Sequence, residues 1–211
     1  MRIQSVCIIG GSGFVGRHVV QRLAASGIRV RVPTRKRERA KSLIVLPTVD
    51  VINADVHDPE TLNRLFAGTD AVINLAGILH QTRKGEFGRV HIELPRRIVN
   101  ACREEGVPRL IHMSALNAAH DAPSEYLRSK AGGEQQVRVA HASGIRTSIF
   151  RPSVIFGRED RFLNLFAKLA RVLPVIALAC PRARFQPIHV EDVAHAIVTS
   201  LENPRCFDQA Y

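Results

Sequence analysis

Seven residues close to the amino terminus, Gly10-Gly11-Ser12-Gly13-Phe14-Val15-Gly16, restrict the fold more than any other part of this sequence. A largely apolar run ends just before them, at Ile9, and an amphipathic stretch starts inside them. In that stretch Val15, Val19, Val20 and Leu23 recur at helical spacing, and Gly27 follows as a stop signal. A buried strand that turns sharply into a helix needs each glycine for a different reason. Gly10 permits the tight turn, Gly13 lets the backbone approach a bound pyrophosphate, and Gly16 lets the helix lie close to the strand. The helix amino terminus then offers N–H groups to phosphate. Gly10, Ser12, Gly13, Phe14, Val15 and Gly16 are therefore candidate dinucleotide contacts.

The same alternation continues to near the end of the chain. Strands are expected at residues 3–9, 28–32, 51–54, 71–75, 110–113, 147–150 and 188–190. Helices are expected at 14–26, 59–67, 88–105, 124–143, from after Gly157 to Leu173, and at 193–202. Strands alternating with helices imply parallel pairing through right-handed crossovers. The expected fold is an α/β Rossmann domain over residues 1–211, a doubly wound parallel sheet with helices on both faces. Its strand order should be 3-2-1-4-5-6, with the ligand at the carboxyl ends of the strands.

The end of the second strand bears on which dinucleotide fits. An NAD site uses an Asp or Glu there to bind the ribose hydroxyls. This chain has Thr34, Arg35, Lys36 and Arg37 instead. A carboxylate would repel a 2′-phosphate, whereas Arg35 can pair with it. Thr34, Arg35 and Lys36 thus point to NADP(H), with NAD(H) as the alternative. The net charge of +11, carried by twenty-five arginines and five lysines, suits phosphate contacts, although most such residues serve as solvated surface. Asp55 and Val56 follow the third strand, where an acid can accept from the adenine amine; Asp58, just before Pro59, suits a helix cap better. Asn74, Leu75, Ala76 and Gly77 close the fourth strand with residues small enough to let a cofactor lie across it.

Tyr126 and Lys130 are four residues apart, so they share one helix face, and Ser114 ends the fifth strand at the ligand edge. A tyrosine beside an ammonium and an oxidised nicotinamide has its phenolate favoured, and can move the proton that accompanies hydride transfer. Lys130 can also hold the nicotinamide ribose, and Ser114 the reacting oxygen. Ser114, Tyr126 and Lys130 are the candidate catalytic residues. Glu134, on the same face, reads as a solubilising residue, with pairing to Lys130 as the alternative, and His91 and His112 read as packed or capped histidines.

Other classes fit less well. Cys7, Cys102, Cys180 and Cys206 lack metal-ligand spacing and read as reduced thiols, so a cytoplasmic setting is expected with no metal. No signal peptide precedes the glycine turn, and the late apolar run is broken by Pro174. With aromatic residues at 5% and no Trp, platforms for stacking bases are scarce, which argues against nucleic acid as partner.

The segments "GGSGFVG", "NLAGI", "SEYLRSKAGGE", "FRPSVIFGREDRFLN" and "QPIHVEDVAHAI" together resemble an atypical short-chain dehydrogenase/reductase of the NAD-dependent epimerase/dehydratase superfamily. Within it they are most similar to bacterial proteins akin to the NADPH-binding accessory subunit of respiratory complex I. The resemblance implies that Arg151, Pro152, Ser153 and Val154 line the nicotinamide side, and that Gln186, Pro187 and Asp192 support the outer edge. It implies an oxidoreductase or epimerase acting on a small molecule of unknown identity. The alternatives are a non-catalytic, assembly or redox-sensing role beside a membrane-associated respiratory partner, peripheral at the inner membrane face, or RNA binding as in some atypical relatives. The chain departs from the pattern at Glu125, where a small residue is usual, and a carboxylate there would oppose phenolate formation. It also stops at Tyr211, where relatives begin a further strand and continue into a substrate region, which is expected to be largely missing here.

Overall fold

The computed structural model describes residues 2–160, 163–172 and 184–211. Its centre is a seven-stranded, wholly parallel sheet. The strands in chain order are β1 (Ser5–Ile9), β2 (Arg29–Thr34), β3 (Val49–Asn53), β4 (Ala71–Asn74), β5 (Arg109–Met113) and β6 (Arg146–Phe150). A short pair, β7 (Ile155–Phe156) and β8 (Ile188–His189), forms a separate ladder, and β9 (Gln209–Ala210) joins the edge of β6. The order is β3-β2-β1-β4-β5-β6-β9, so the expected six-strand arrangement is present with one strand added. Strands β7 and β9 are two residues long, too short to show a periodicity in the sequence.

Alternation along the strands divides the core in two. Ile8, Ile73 and Ile111 face α1 (Phe14–Ala25), whose Val19, Val20 and Leu23 are fully buried. Cys7, Ile9, Val72 and Leu110 face the opposite layer, which is formed by α3 (Pro59–Phe66), α4 (Leu94–Glu104) and α5 (Glu125–Arg138). On the α1 side the short α2 (Lys41–Ile44) buries Leu43 against the core; at four residues it carries no periodicity in the sequence. The chain continues through α6 (Leu163–Val172) and α7 (Val190–Ser200), the latter packed beside α1. Residues 161–162 and 173 of the expected sixth-strand-to-edge helix, and Cys180, lie outside the described residues.

Two boundaries differ from expectation for identifiable reasons. The expected helix 88–105 is in fact a π-helical turn, Gly88–Glu93, followed by α4. Pro95, near the start of α4, has no N–H to return to His91 O, so the α-helical ladder cannot run through. The last helix starts at Val190 rather than 193, because His189 serves as its cap: Nδ1 accepts the Glu191 N–H at 3.3 Å. Asp58 caps α3 through the Thr61 N–H at 3.0 Å, as expected from its place before Pro59. Register partners Ile9↔Asn74, Asn74↔His112 and Met113↔Phe150 bring the exits of β1, β4, β5 and β6 level, and the candidate site lies along that edge.

Candidate functional site

A cleft of about 540 Å³ runs along the carboxyl ends of β1 to β4, lined by Gly10, Ser12 and Gly13 on one wall and Leu75, Ala76 and Gly77 on another. Gly10 has φ +83°, and a Cβ there would press on Leu75 C at 2.9 Å, so the turn and the β4 exit touch backbone to backbone. A Cβ on Gly16 would overlap Gly10 O and stand 2.6 Å from Gly11 Cα, which is how α1 sits so low on the turn. Gly13 differs: the nearest atom to its Cβ is Gly10 O at 3.1 Å, and no other atom of the described residues is found within 4 Å outside its own turn. The side of Gly13 is therefore open toward the cleft, next to the first turn of α1, which carries no acidic residue. Phe14 packs against Gly157 and edge-on against His18, so it anchors the turn, and Val15 packs against the core.

At the far end of the cleft stand Thr34, Arg35, Lys36, Val56 and His57. Thr34 is buried, and its Oγ1 accepts the Lys36 N–H at 3.2 Å and lies 3.4 Å from Ser12 Oγ, tying the basic loop to the glycine turn. Arg35 and Lys36 are exposed. Asp55 is exposed and accepts the His57 N–H at 3.0 Å, closing a local turn; it is Val56 and His57 that form the wall. His57 escaped the sequence reading because a lone histidine after a strand has no partner in sequence. Burial, then Arg89, hold it below its ordinary range.

Lys130 is 4% exposed, and its Nζ donates to Met113 O at 2.7 Å, one residue before Ser114. Burial brings the ammonium down to about 8, with the Glu134 charge opposing that shift. Ser114 is equally buried; its Oγ makes no hydrogen bond of ordinary geometry among the described residues, but it lies near enough to Glu134 to help favour that carboxylate's charged form. Tyr126 is half-buried in the first turn of α5, where Ser124 caps the helix through the Leu127 N–H at 3.2 Å. Burial alone raises the tyrosine above its ordinary 10. Glu125 is not a cause of that shift; its carboxylate turns to Gln81 Nε2 at 3.0 Å. Glu134 requires a correction. It does not solubilise α5 but is buried, accepting from Arg151 Nε at 2.7 Å and Nη2 at 2.5 Å. Arg151 is thereby fixed beside Pro152, Ser153 and Val154, all half-buried on the run from β6 to β7. Ser153 Oγ accepts the Gln186 N–H at 3.4 Å, and Pro187 precedes β8, whereas Asp192 lies in the first turn of α7.

His91 and His112 are buried and neutral. Asn74 Oδ1 accepts the Ala76 N–H at 3.1 Å, so its amide nitrogen donates to His112 Nδ1, also at 3.1 Å. Burial holds His112 well below its ordinary value and brings His91 down to about 3. Among the described residues no group of His, Cys, Asp and Glu is placed to hold a metal ion, and no helix is long and apolar enough to cross a membrane.

Residues 6–210 match the NAD dependent epimerase/dehydratase family. The mitochondrial NADH dehydrogenase (ubiquinone) 1 alpha subcomplex subunit 9 of Mus musculus is 37% identical over 203 residues, covering 93% of this chain and 53% of that protein. A ceramide reductase of Caulobacter vibrioides is 36% identical over 200 residues, covering 94% of this chain and 61% of that protein. The chain thus spans roughly half to three-fifths of the length of these curated relatives. Among solved structures, MoeE5 in complex with UDP-glucose and NAD superposes with a TM-score of 0.82 at 22% identity, over 98% of this chain and 74% of that one, a likeness of fold. The glycine turn, the parallel sheet and these matches agree: the chain belongs to the NAD dependent epimerase/dehydratase family.

Proposed function

We propose that this chain binds NADP(H) in the cleft and serves as the dinucleotide half of an oxidoreductase acting on a carbonyl or alcohol. The residues present fit such a ligand. The open side of Gly13 leaves room for a pyrophosphate, the first turn of α1 supplies donors, and Arg35 and Lys36 line the cleft with charges that support pairing with a 2′-phosphate. The carrying observation is Lys130. A nearly fully buried ammonium, spent on one backbone carbonyl and shifted to about 8, is costly to fold around, and such groups concentrate at functional sites.

NADPH, when bound, supplies the hydride that the carbonyl carbon gains. The protein's own task is the proton. Tyr126 O–H would give it to the carbonyl oxygen and Ser114 Oγ–H would hold that oxygen in place, while Lys130 would hold the nicotinamide ribose; a bound oxidised nicotinamide would supply the charge that favours the phenolate. Reduction is favoured over sugar epimerisation because the reductase is 36% identical, whereas the solved sugar-nucleotide enzyme shares 22% and its likeness is one of fold.

A second reading has its own support. The respiratory subunit is 37% identical, level with the reductase, and favours a chain that holds NADPH beside a membrane assembly without consuming it. Fluorescence titration with NADPH and NADH tests the cofactor, and NADPH oxidation with ceramide and a short-chain ubiquinone as probes tests the chemistry. Tighter NADPH binding with turnover that Tyr126→Phe abolishes supports the enzyme. Tight binding without turnover favours the accessory role, and equal affinity for both cofactors refutes the NADP(H) assignment.

A further inference from the structure

His91 is among the buried groups that this mechanism leaves unused. His91 sits in the π-helical turn before α4, 2% exposed, with both ring nitrogens engaged. Nε2 accepts the backbone N–H of Ile78 at 3.1 Å, so it carries no proton. The proton is therefore on Nδ1, which donates to Ser129 Oγ at 2.8 Å. Ser129 Oγ in turn donates to the Tyr126 carbonyl at 2.7 Å. The ring stacks on Phe87, centroids 5.4 Å apart, and meets the Tyr126 ring edge-on at 5.5 Å. Phe87 also meets Tyr126 edge-on at 5.9 Å, so the tyrosine ring is held by two aromatic neighbours.

The chain is shaped to bring this ring in. A Cβ on Gly133 would overlap His91 O, and one on Gly132 would press on Ile92 Cδ1 at 2.8 Å, so α5 meets the π-helical turn with glycine on its side. A Cβ on Gly77 would stand 3.6 Å from His91 Nε2 and 3.8 Å from Lys130 Nζ, so the cleft floor, the histidine and the lysine converge.

We infer that His91 is a positioning residue that ties the cofactor floor at Gly77–Ile78 to the Tyr126 helix, in its neutral Nδ1–H form, so that dinucleotide and proton donor keep one fixed relation. This rests on the reading of the cleft as an NADP(H) site. The groups that act on the ring are the Lys130 ammonium, the neutral His112 ring, the Ile78 N–H, the Ser129 hydroxyl and the rings of Phe87 and Tyr126, none of them an anion. A second proton on Nε2 would point at the Ile78 N–H, so the ring stays neutral.

Two amide substitutions separate the two bonds. In His91→Gln the longer side chain can place an oxygen where Nε2 was and keep the acceptor for Ile78. In His91→Asn the shorter amide keeps the donor to Ser129 and leaves the Ile78 N–H without a partner. Amide hydrogen exchange at Ile78 and NADPH fluorescence titration are measured on native protein and both variants. The expected result is faster Ile78 exchange and about tenfold weaker NADPH binding in His91→Asn, with both largely restored in His91→Gln. A role in packing alone would lower the melting temperature of both variants without this split. If His91→Asn folds and binds NADPH at native affinity, the inference is overturned. If it does not fold, His91→Gln decides: retained Ile78 protection with native affinity supports the inference, and lost affinity overturns it. Failure of the native protein to bind NADPH would instead remove the underlying reading.

Discussion

Gly13 and Gly16 stand three residues apart in one turn, and replacing each by alanine should affect different properties. At Gly16 the new methyl would lie 2.6 Å from both Gly11 Cα and Gly11 O, and would overlap Gly10 O. These are backbone atoms that cannot swing aside, so α1 must lift from the turn. Overpacking of this kind costs about 1–3 kcal/mol, and the better helix propensity of alanine returns at most about 1 kcal/mol. A net loss of about 2 kcal/mol lowers the melting temperature of a chain this size by about 4–8 °C. At Gly13 the backbone is extended (φ −79°, ψ −179°), which alanine adopts freely, and the closest protein atom is 3.1 Å away. Losing glycine at a helix cap costs about 1 kcal/mol or less. The methyl would instead occupy the space where a pyrophosphate meets the helix start, and each charge-assisted bond lost there is worth about 1.5–3 kcal/mol, or at least tenfold in affinity. Thermal unfolding and NADPH titration on the two variants read the separation. A Gly16→Ala protein that melts like the native one, or a Gly13→Ala protein that binds NADPH like it, would refute the reasoning.

Further outcomes follow from the same geometry. Arg35→Ala should narrow the gap between NADPH and NADH affinity by about 1.5–3 kcal/mol, measured by paired titrations, because one charge-assisted phosphate contact is lost. Tyr126→Phe should remove turnover and leave NADPH affinity nearly unchanged, whereas Lys130→Met should weaken both in steady-state and binding assays. Lys130 also sets a pH dependence in the protein without cofactor. Its folded value of about 8 lies below the ordinary 10.5, so between these pH values the unfolded chain holds the proton more tightly. The folded state therefore gains stability as pH rises from about 8 to 10.5 and carries the full cost of the buried charge below 8. Lys130→Met should accordingly melt higher than native at pH 7, by an amount of order 3 kcal/mol, and that advantage should fade by pH 10.5 in melting curves.

Much of the frame was readable because it rests on local pattern. The glycine turn, the apolar runs of β1, β4 and β5, and the Asp58-Pro59 start of α3 each carry their own signal within a few residues. What escaped depends on contacts distant in sequence. Arg109 reads as an ordinary strand-flanking cation, yet it is fully buried, donating to Leu201 O, Ser200 O and Ser148 Oγ and stacked 4.7 Å over Phe207. Glu134 looked like surface because α5 alternates polar residues, and only the fold brings Arg151 against it. The π-helical turn was hidden for a similar reason: Pro95 stands near a helix start, where proline is ordinarily tolerated, and the packing of Gly133 on His91 O is invisible in sequence.

The pairing of Glu134 with Arg151 bears on why Lys130 is useful. A carboxylate four residues along α5 would ordinarily be the natural partner of a buried lysine, and a tight pair would consume its donors. Here both carboxylate oxygens are taken by the Arg151 guanidinium, at 2.7 and 2.5 Å. Glu134 acts on Lys130 through its field, opposing the downward shift, without a hydrogen bond to it among the described residues. The ammonium has three N–H donors, and one goes to Met113 O. The residue after Met113 is Ser114, whose buried hydroxyl makes no hydrogen bond of ordinary geometry among the described residues and acts on the Glu134 carboxylate beside it. Buried polar groups are almost always satisfied, and the Ser114 hydroxyl has only the neighbouring Glu134 carboxylate to turn to among the described residues, so a polar ligand beside Lys130 would complete it. On the proposed function, that ligand would be the nicotinamide ribose or the reacting oxygen, bound at the exit of β5 beside α5.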